Sequence, residues 1–96
     1  MKITLEQRKL LTEWLGEKYY DDIAPNEARW HIDKIIANRS FTCWQDFGVV
    51  VKKLGWKQAV DYIIPQIPSE INSEEVPERF CILVAEAIKE GVISRV

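Results

Sequence analysis

The chain has 96 residues, of which 47% are hydrophobic and 29% are charged. A chain of this length supplies one domain with a hydrophobic core, and it is too apolar to remain disordered. The 13 Lys and Arg residues nearly balance the 15 Asp and Glu residues, for a net charge of −2. The chain as a whole is therefore not attracted to nucleic acid or to an anionic membrane surface.

Neither a signal peptide nor a membrane span is indicated by the hydrophobic pattern. Residues 1–6 contain no long apolar stretch, and no apolar run approaches the roughly 20 residues that a span needs. We therefore expect a cytoplasmic protein that does not bind membranes. In that compartment Cys43 and Cys81 would be reduced thiols, and their apolar neighbours indicate small core residues.

The first predicted element is an amphipathic helix from Thr4 to about Tyr20. Thr4 and Gln7 have the spacing of a capping box, in which each side chain accepts a hydrogen bond from a free backbone N–H. Pro25 and the acidic pair before it end the segment. The apolar stripe at helical spacing consists of Leu10, Leu11, Trp14 and Leu15.

Residues 26–38 fit two structures. As a helix, the segment would be capped by Asn26 and would place Ala28, Ile32, Ile35 and Ile36 on one face. As a strand, it would alternate Ala28, Trp30 and Ile32 with polar residues. Helix is favoured, because Glu27, Ala28 and Lys34 are poor strand formers. A short β element near residues 28–41 is the alternative, and it would make the fold α+β.

Two helices are predicted between residues 42 and 64, separated by Gly55. Thr42 and Gln45 repeat the capping-box spacing, and Gly55 suits the left-handed residue that ends many helices. The inward residues of the first helix are Trp44, Phe47, Val50, Val51 and Leu54. Those of the second helix are Trp56, Ala59, Val60 and Ile63.

The last predicted helix runs from Pro77 to about Glu90, after an extended acidic connection at about 65–76. Its apolar stripe is wide enough to be covered on more than one side, which places it at the centre of the fold. Ile82 falls on the opposite, polar face. We predict an all-α compact bundle of four to five helices, forming a single helical domain over residues 1–96.

Two stretches resemble small uncharacterised proteins encoded by bacteriophages and prophages. They are Asn38 to Gly48, which contains Asn-Arg-x-Phe and Trp-Gln-Asp-Phe-Gly, and Pro77 to Glu86. Residues 11–17 are similar to the start of those proteins. Such proteins often carry a Cys-x-Cys pair before the Asn-Arg-x-Phe stretch, and this chain lacks it. The resemblance implies a phage or prophage setting and no particular activity.

No catalytic residue, metal site or cofactor is predicted. His31 is the only histidine, whereas a zinc site needs several Cys or His residues at short spacing. Cys43 and Cys81 lie on apolar faces, where loss of solvent suppresses the reactive thiolate. The paired carboxylates at 21–22 and 74–75 are adjacent in the chain, so their side chains do not face each other. We expect a protein that is not an enzyme.

Basic residues support one alternative, a small nucleic-acid-binding protein that uses a helical hairpin at 43–64. Arg39, Lys52, Lys53 and Lys57 would contact phosphates. Asp61 would repel phosphate, however, and the second helix carries no Arg or Asn to read bases. A further alternative is an enzyme of unrecognised type.

The best functional indication is an apolar patch for a protein partner. Its candidate residues are Tyr19, Tyr20, Trp30, Ile82 and Ile93, because none of them falls clearly on an inward stripe. An exposed apolar patch is typical of a surface that binds another protein. The sequence therefore favours a non-enzymatic accessory protein that acts through contacts with an unidentified partner or with itself.

Overall fold

Helices make up most of the described chain, and one short β-hairpin accompanies them. The computed structural model describes residues 2–23, 27–31 and 34–93. The predictions that involve Pro25, Asn26 and Ile32 fall on residues outside that part. The regular elements are α1 (Leu5–Trp14), β1 (Ala28–His31), β2 (Lys34–Ala37), α2 (Trp44–Leu54), α3 (Trp56–Gln58) and α4 (Val76–Lys89).

Helix α1 begins as predicted and ends early. The Thr4 hydroxyl accepts a hydrogen bond from the Gln7 amide, and the Gln7 side chain accepts one from the Thr4 amide, so the capping box is confirmed. The helix ends at Trp14 and not near Tyr20. Gly16, with φ of +79°, takes a left-handed conformation that stops helix growth and that glycine adopts without steric cost.

The preference for a helix over residues 26–38 is wrong, because β1 and β2 form an antiparallel hairpin. Ala28 pairs with Ala37, and Trp30 pairs with Ile35. Pairing across the two strands therefore outweighs the weak strand propensity of single residues such as Ala28 and Lys34. The short β element allowed near residues 28–41 is present.

The α2–α3 region contains the one predicted turn and an unexpected helical variant. Gly55, with φ of +98°, separates the two helices as predicted. Helix α3 continues into a π-helical turn, Ala59–Ile63, and a 3-10 turn, Ile64–Gln66. The amide of Ile64 donates to the Ala59 carbonyl. Pro65 lacks an N–H, and its ring would clash with the carbonyl four residues back, which accounts for this wider turn.

The capping box predicted at Thr42 and Gln45 is wrong. Cys43 occupies the N-cap position of α2, and its side chain makes no capping hydrogen bond. The carboxylate of Asp46 instead accepts a hydrogen bond from the Phe41 amide, at 3.0 Å. An acidic residue in the first helical turn is also favoured by the helix dipole.

Helix α4 is the centre of the fold, as predicted. It packs against α1, α2, the π-helical turn and the 3-10 turn at Ser73–Glu75. Ile67 and Ile71, in the segment before α4, are half-buried. The buried residues of α4 include Phe80, Cys81, Val84, Ala85 and Ile88.

Five residues differ in burial from their prediction: Ile82, Trp44, Trp56, Val60 and Cys43. Ile82 is 1% exposed and belongs to the hydrophobic core, so the buried arc of α4 is wider than the predicted stripe. The predicted inward residues Trp44, Trp56 and Val60 are 53%, 65% and 38% exposed. Cys43 is exposed, so its prediction as a small core residue is wrong. Each tryptophan is the first residue of its helix, where little of the fold covers the side chain.

Candidate protein-binding groove

The five residues predicted as a partner surface do not form one surface. Ile82 is buried in the core. Tyr19 and Tyr20 are half-buried, and each ring has a lysine ammonium over it, Lys9 at 5.4 Å and Lys18 at 5.3 Å. Only Trp30 and Ile93 stand beside accessible apolar surface, and they do so at two separate places in the fold.

The residues predicted to contact nucleic acid are also divided. Lys52, Lys53 and Lys57 are exposed around the junction of α2 and α3. Arg39 differs from these lysines, because its guanidinium already forms ion pairs with Glu17 and Asp46 and would have to leave them to contact a phosphate. A three-residue α3 followed by a π-helical turn is also shorter than the recognition helix of a helix-turn-helix protein. Nucleic-acid binding stays a prediction.

Arg39 and Asp46 organise the loop between β2 and α2. The Arg39 guanidinium donates to both carboxylate oxygens of Glu17, at 2.7 and 2.9 Å, and to Asp46 Oδ1 at 2.8 Å. The hydrogen bonds from Arg39 to Glu17, followed by those to Asp46, raise the pKa of Arg39 above its ordinary value. Asp46 is buried and also accepts from the Phe41 amide and from the Cys43 thiol.

Asn38 and Phe41 complete the same loop. The Asn38 side chain donates to the carbonyls of Tyr20 and Ile23 and accepts from the Tyr20 amide. Phe41 is fully buried with φ of +58°, a left-handed conformation that is unfavourable for a bulky residue. Asn38, Arg39, Phe41 and Asp46 therefore all stabilise the conformation of this loop.

A cavity of about 510 Å³ lies next to this loop, and its charged side chains are already paired with one another. Arg39, Glu17 and Asp46 line it together with Ile35 and Cys43. The two carboxylates share the single guanidinium, which leaves a net charge of −1, and each of the three groups already has a partner. The exposed Cys43 thiol donates to Asp46 Oδ2 at 3.3 Å.

A more apolar depression, the α3–α4 groove, lies between residues 54–66 and the C-terminal half of α4. Its volume is about 530 Å³, within the range of protein binding sites. The buried and half-buried lining residues form its floor: Leu54, Ile63, Leu83, Ala87 and Ile93. The exposed lining residues form its rim: Gln58, Tyr62, Gln66, Glu86, Glu90 and Val92.

The π-helical turn positions one wall of the α3–α4 groove. Tyr62 and Ile63 both belong to it, with Ile63 in the core and Tyr62 65% exposed. The Gln66 side chain donates to the Tyr62 carbonyl at 2.6 Å, and this bond supports the widened turn. π-Helical turns occur often at functional sites.

Among the residues of the α3–α4 groove, only Ile93 is predicted from the sequence to lie on a partner surface. Leu83 and Ala87 fall on the apolar side of α4, and they are half-buried because none of the described residues covers their outer side. The sequence feature that could have indicated the groove is the position of Leu83 and Ala87 near the end of α4, after a predicted helix that ends at Pro65. This feature is weak evidence, because sequence periodicity does not reveal which part of an apolar stripe lacks a neighbour.

A second apolar surface, the hairpin face, consists of Ala28, Trp30, Ile35 and Ala37. Alternate residues of a strand share a face, and the cross-strand register puts these four side chains together. All four are exposed, Trp30 at 76%. The hairpin face is a surface without a covering element among the described residues.

Three general findings accompany this geometry. Within residues 2–23, 27–31 and 34–93, no three His, Cys, Asp or Glu residues are grouped so that they could hold a metal ion. No helix in the same part of the chain has the length and apolarity to cross a membrane. No protein-family model, curated protein or solved structure matches this chain.

Proposed function

We propose that this chain is a non-enzymatic accessory protein that binds another protein through the α3–α4 groove. The observation that carries the proposal is a groove with an apolar floor and a polar rim. The half-buried Leu83, Ala87 and Ile93 leave apolar area open on the floor. A partner that covers this floor gains the free energy of removing apolar surface from water.

Tyr62 is the residue most suited to anchor a partner. It projects from the rim with 65% of its surface exposed, and tyrosine is among the residues that contribute most to protein interfaces. Its ring adds apolar area and its hydroxyl adds a hydrogen-bonding group, at a small cost in side-chain entropy.

The setting of the protein is part of the proposal. The resemblance of Asn38–Gly48 and Pro77–Glu86 to bacteriophage and prophage proteins supports a phage-type accessory role. A cytoplasmic location is supported by Cys43 and Cys81, which are both free thiols, as is usual in a reducing compartment.

The test is to select peptides that bind the purified chain from a random display library and to measure the affinity of each for groove variants. Tyr62→Ala and Val92→Gln remove rim contacts at exposed positions, so neither should disturb folding. We expect each to weaken binding about tenfold, the usual effect of losing an interface anchor.

Trp56→Ala is the matched control, because Trp56 is also 65% exposed and does not line the groove. Its affinities should stay within about twofold of wild type. Selected peptides that bind Tyr62→Ala and Val92→Gln as tightly as wild type would show that the α3–α4 groove is not the binding surface.

A further inference from the structure

The charge of the rim indicates what kind of partner the α3–α4 groove accepts. Glu86 in the last turns of α4 and its C-cap residue Glu90 are four residues apart, and both line the groove with exposed side chains. Residues at this spacing share a helix face, so the two carboxylates repel each other. Neither takes part in any ion pair of the described chain. A cation at this rim would be attracted by two carboxylates together.

The opposite rim adds no compensating charge. Gln58, Tyr62 and Gln66 are the lining residues there, and each is uncharged at neutral pH. Lys89, the nearest lysine along α4, does not line the groove. The groove therefore has an apolar floor, one neutral rim and one acidic rim.

The walls of the groove favour a helical occupant over an extended one. Both walls are helical turns, whose backbone groups are hydrogen-bonded along the chain. A peptide in β conformation gains affinity from backbone hydrogen bonds to an open strand edge, which these walls do not offer, whereas a helix satisfies its backbone groups internally. The α4 wall from Leu83 to Glu90 is about 10 Å long at ~1.5 Å per residue, which matches about two turns of a bound helix.

Building on the proposed function, we propose that the α3–α4 groove binds a basic amphipathic helix of a partner protein. Apolar side chains of that helix at positions i, i+3 or i+4, and i+7 lie on the floor formed by Leu83, Ala87 and Ile93. Lys or Arg side chains on its flank pair with Glu86 and Glu90. The bound segment is about two turns long.

The experiment uses three synthetic peptides of about 18 residues, long enough to form a partial helix alone. They share one apolar face of leucines and carry Lys, Gln or Glu on the flank. Fluorescence anisotropy measures their affinity for the full chain. At low salt the Lys peptide should bind about tenfold more tightly than the Glu peptide, as two exposed charge pairs predict. The difference should shrink at about 0.5 M NaCl.

Charge-reversal variants identify the surface that discriminates among the peptides. Glu86→Lys/Glu90→Lys should reverse the preference, so that the Glu peptide binds more tightly. Glu13→Lys/Glu70→Lys makes the same change in net charge at exposed positions outside the groove, and it should keep the preference for the Lys peptide. A Lys peptide with a central proline, which interrupts its helix, should bind about tenfold more weakly.

The results distinguish the proposed protein-binding groove from the proposed basic, helical partner. Equal affinity for the three peptides, with loss of binding in Tyr62→Ala, would overturn the basic partner and keep the protein-binding groove. If Glu13→Lys/Glu70→Lys changed the peptide preference as much as Glu86→Lys/Glu90→Lys does, the preference would depend on net charge alone. That result would overturn the proposal of a basic partner. Unchanged binding of the proline peptide would overturn the helical occupant, and no binding of any peptide would overturn the whole inference.

Discussion

Asp46 is a buried carboxylate with three hydrogen-bond donors around it: the guanidinium of Arg39, the amide of Phe41 and the thiol of Cys43. Only 5% of the residue is exposed. A buried carboxylate is tolerated when its oxygens are paired in this way. Its partners come from the loop 39–43, which links β2 to α2, so this single side chain holds the loop against the helix.

Replacing Asp46 with alanine should destabilise the protein strongly. Asp46→Ala leaves the Phe41 amide without a partner in a buried environment and removes one ion pair of Arg39. We expect a loss of about 2–4 kcal/mol in the free energy of unfolding, measured by urea denaturation.

Glu17→Ala is the control for Asp46→Ala. It removes the more exposed partner of Arg39 and leaves Asp46 in place, so it should cost less than about 1 kcal/mol. Equal losses for the two variants would mean that the ion pairs of Arg39, and not the burial of Asp46, determine the stability of the loop.

Cys81 predicts a pH dependence of stability. Burial raises the pKa of this thiol above its ordinary value, so the native state keeps the proton at a pH at which the unfolded chain loses it. Its effect is absent below about pH 8.5 and lowers stability as the pH rises further. Relative to Cys81→Ala, wild type should lose up to about 1.4 kcal/mol per pH unit above that point.

Urea denaturation of both proteins at several pH values between 7 and 10.5 measures this difference. Lysine and tyrosine titrations affect the two proteins alike and cancel in the comparison. Parallel pH profiles would show that the Cys81 thiol is accessible to water in the native state.

At the scale of the helices, Gly48 and Gly55 form a natural matched pair in and after α2. Gly48 lies inside the helix, and a Cβ there would meet no atom within 4 Å. Gly55 ends the helix with φ of +98°, where a Cβ also finds open space. The two positions therefore differ in backbone conformation and not in crowding.

Alanine should have opposite effects at these two positions. Gly48→Ala is expected to stabilise the protein by about 0.5–1 kcal/mol, because alanine restricts the unfolded chain and favours helix. Gly55→Ala is expected to destabilise it by about 1–2 kcal/mol, because an L residue is strained at that φ. Thermal melting followed by circular dichroism would measure both, and changes of the same sign would contradict the assigned conformations.

Three features with local sequence signals are confirmed: the capping box at Thr4, the stop at Gly55 and the wide stripe of α4. The capping box at Thr42 and Gln45 has an equally local signal and is wrong, because Cys43 takes the N-cap position. The hairpin depends on pairing Trp30 with Ile35, which single-residue propensities do not contain. The prediction that Trp44 is buried is wrong because a helical wheel shows only which residues share a face. It does not show whether another element covers the first turn of the helix.

The α3–α4 groove belongs to the scale of the whole molecule, and sequence could not predict it. Its two walls are residues 54–66 and 83–93, and neither wall is a groove by itself. The intervening segment 67–82 brings the second wall next to the first. The hydrophobic pattern of either wall alone does not indicate that the two walls are neighbours. The sequence does show that the C-terminal third is acidic, with 3 Lys and Arg against 6 Asp and Glu in residues 65–96. It does not show on which side of the fold these acidic residues lie.

We predict that the hairpin face causes weak self-association of the protein. Ala28, Trp30, Ile35 and Ala37 are exposed together, and the described sheet has two strands, so each strand has an unpaired edge. Open edges beside apolar side chains favour pairing with another chain. A net charge of −2 gives little repulsion against it. Four residues are far fewer than the roughly 20–30 of a stable interface, so the association should be weak.

Ile35→Lys should reduce this self-association, because it places a charge in the middle of the hairpin face. Light scattering should show an apparent mass that rises with concentration in wild type and stays nearly constant in the variant. Leu5→Lys is the control: it makes the same change in net charge at an exposed residue of α1, which is not at the edge of a sheet. Both changes bring the net charge closer to zero, which alone would increase association. A decrease in Ile35→Lys alone would therefore assign the effect to the hairpin face, whereas equal decreases in both variants would contradict it.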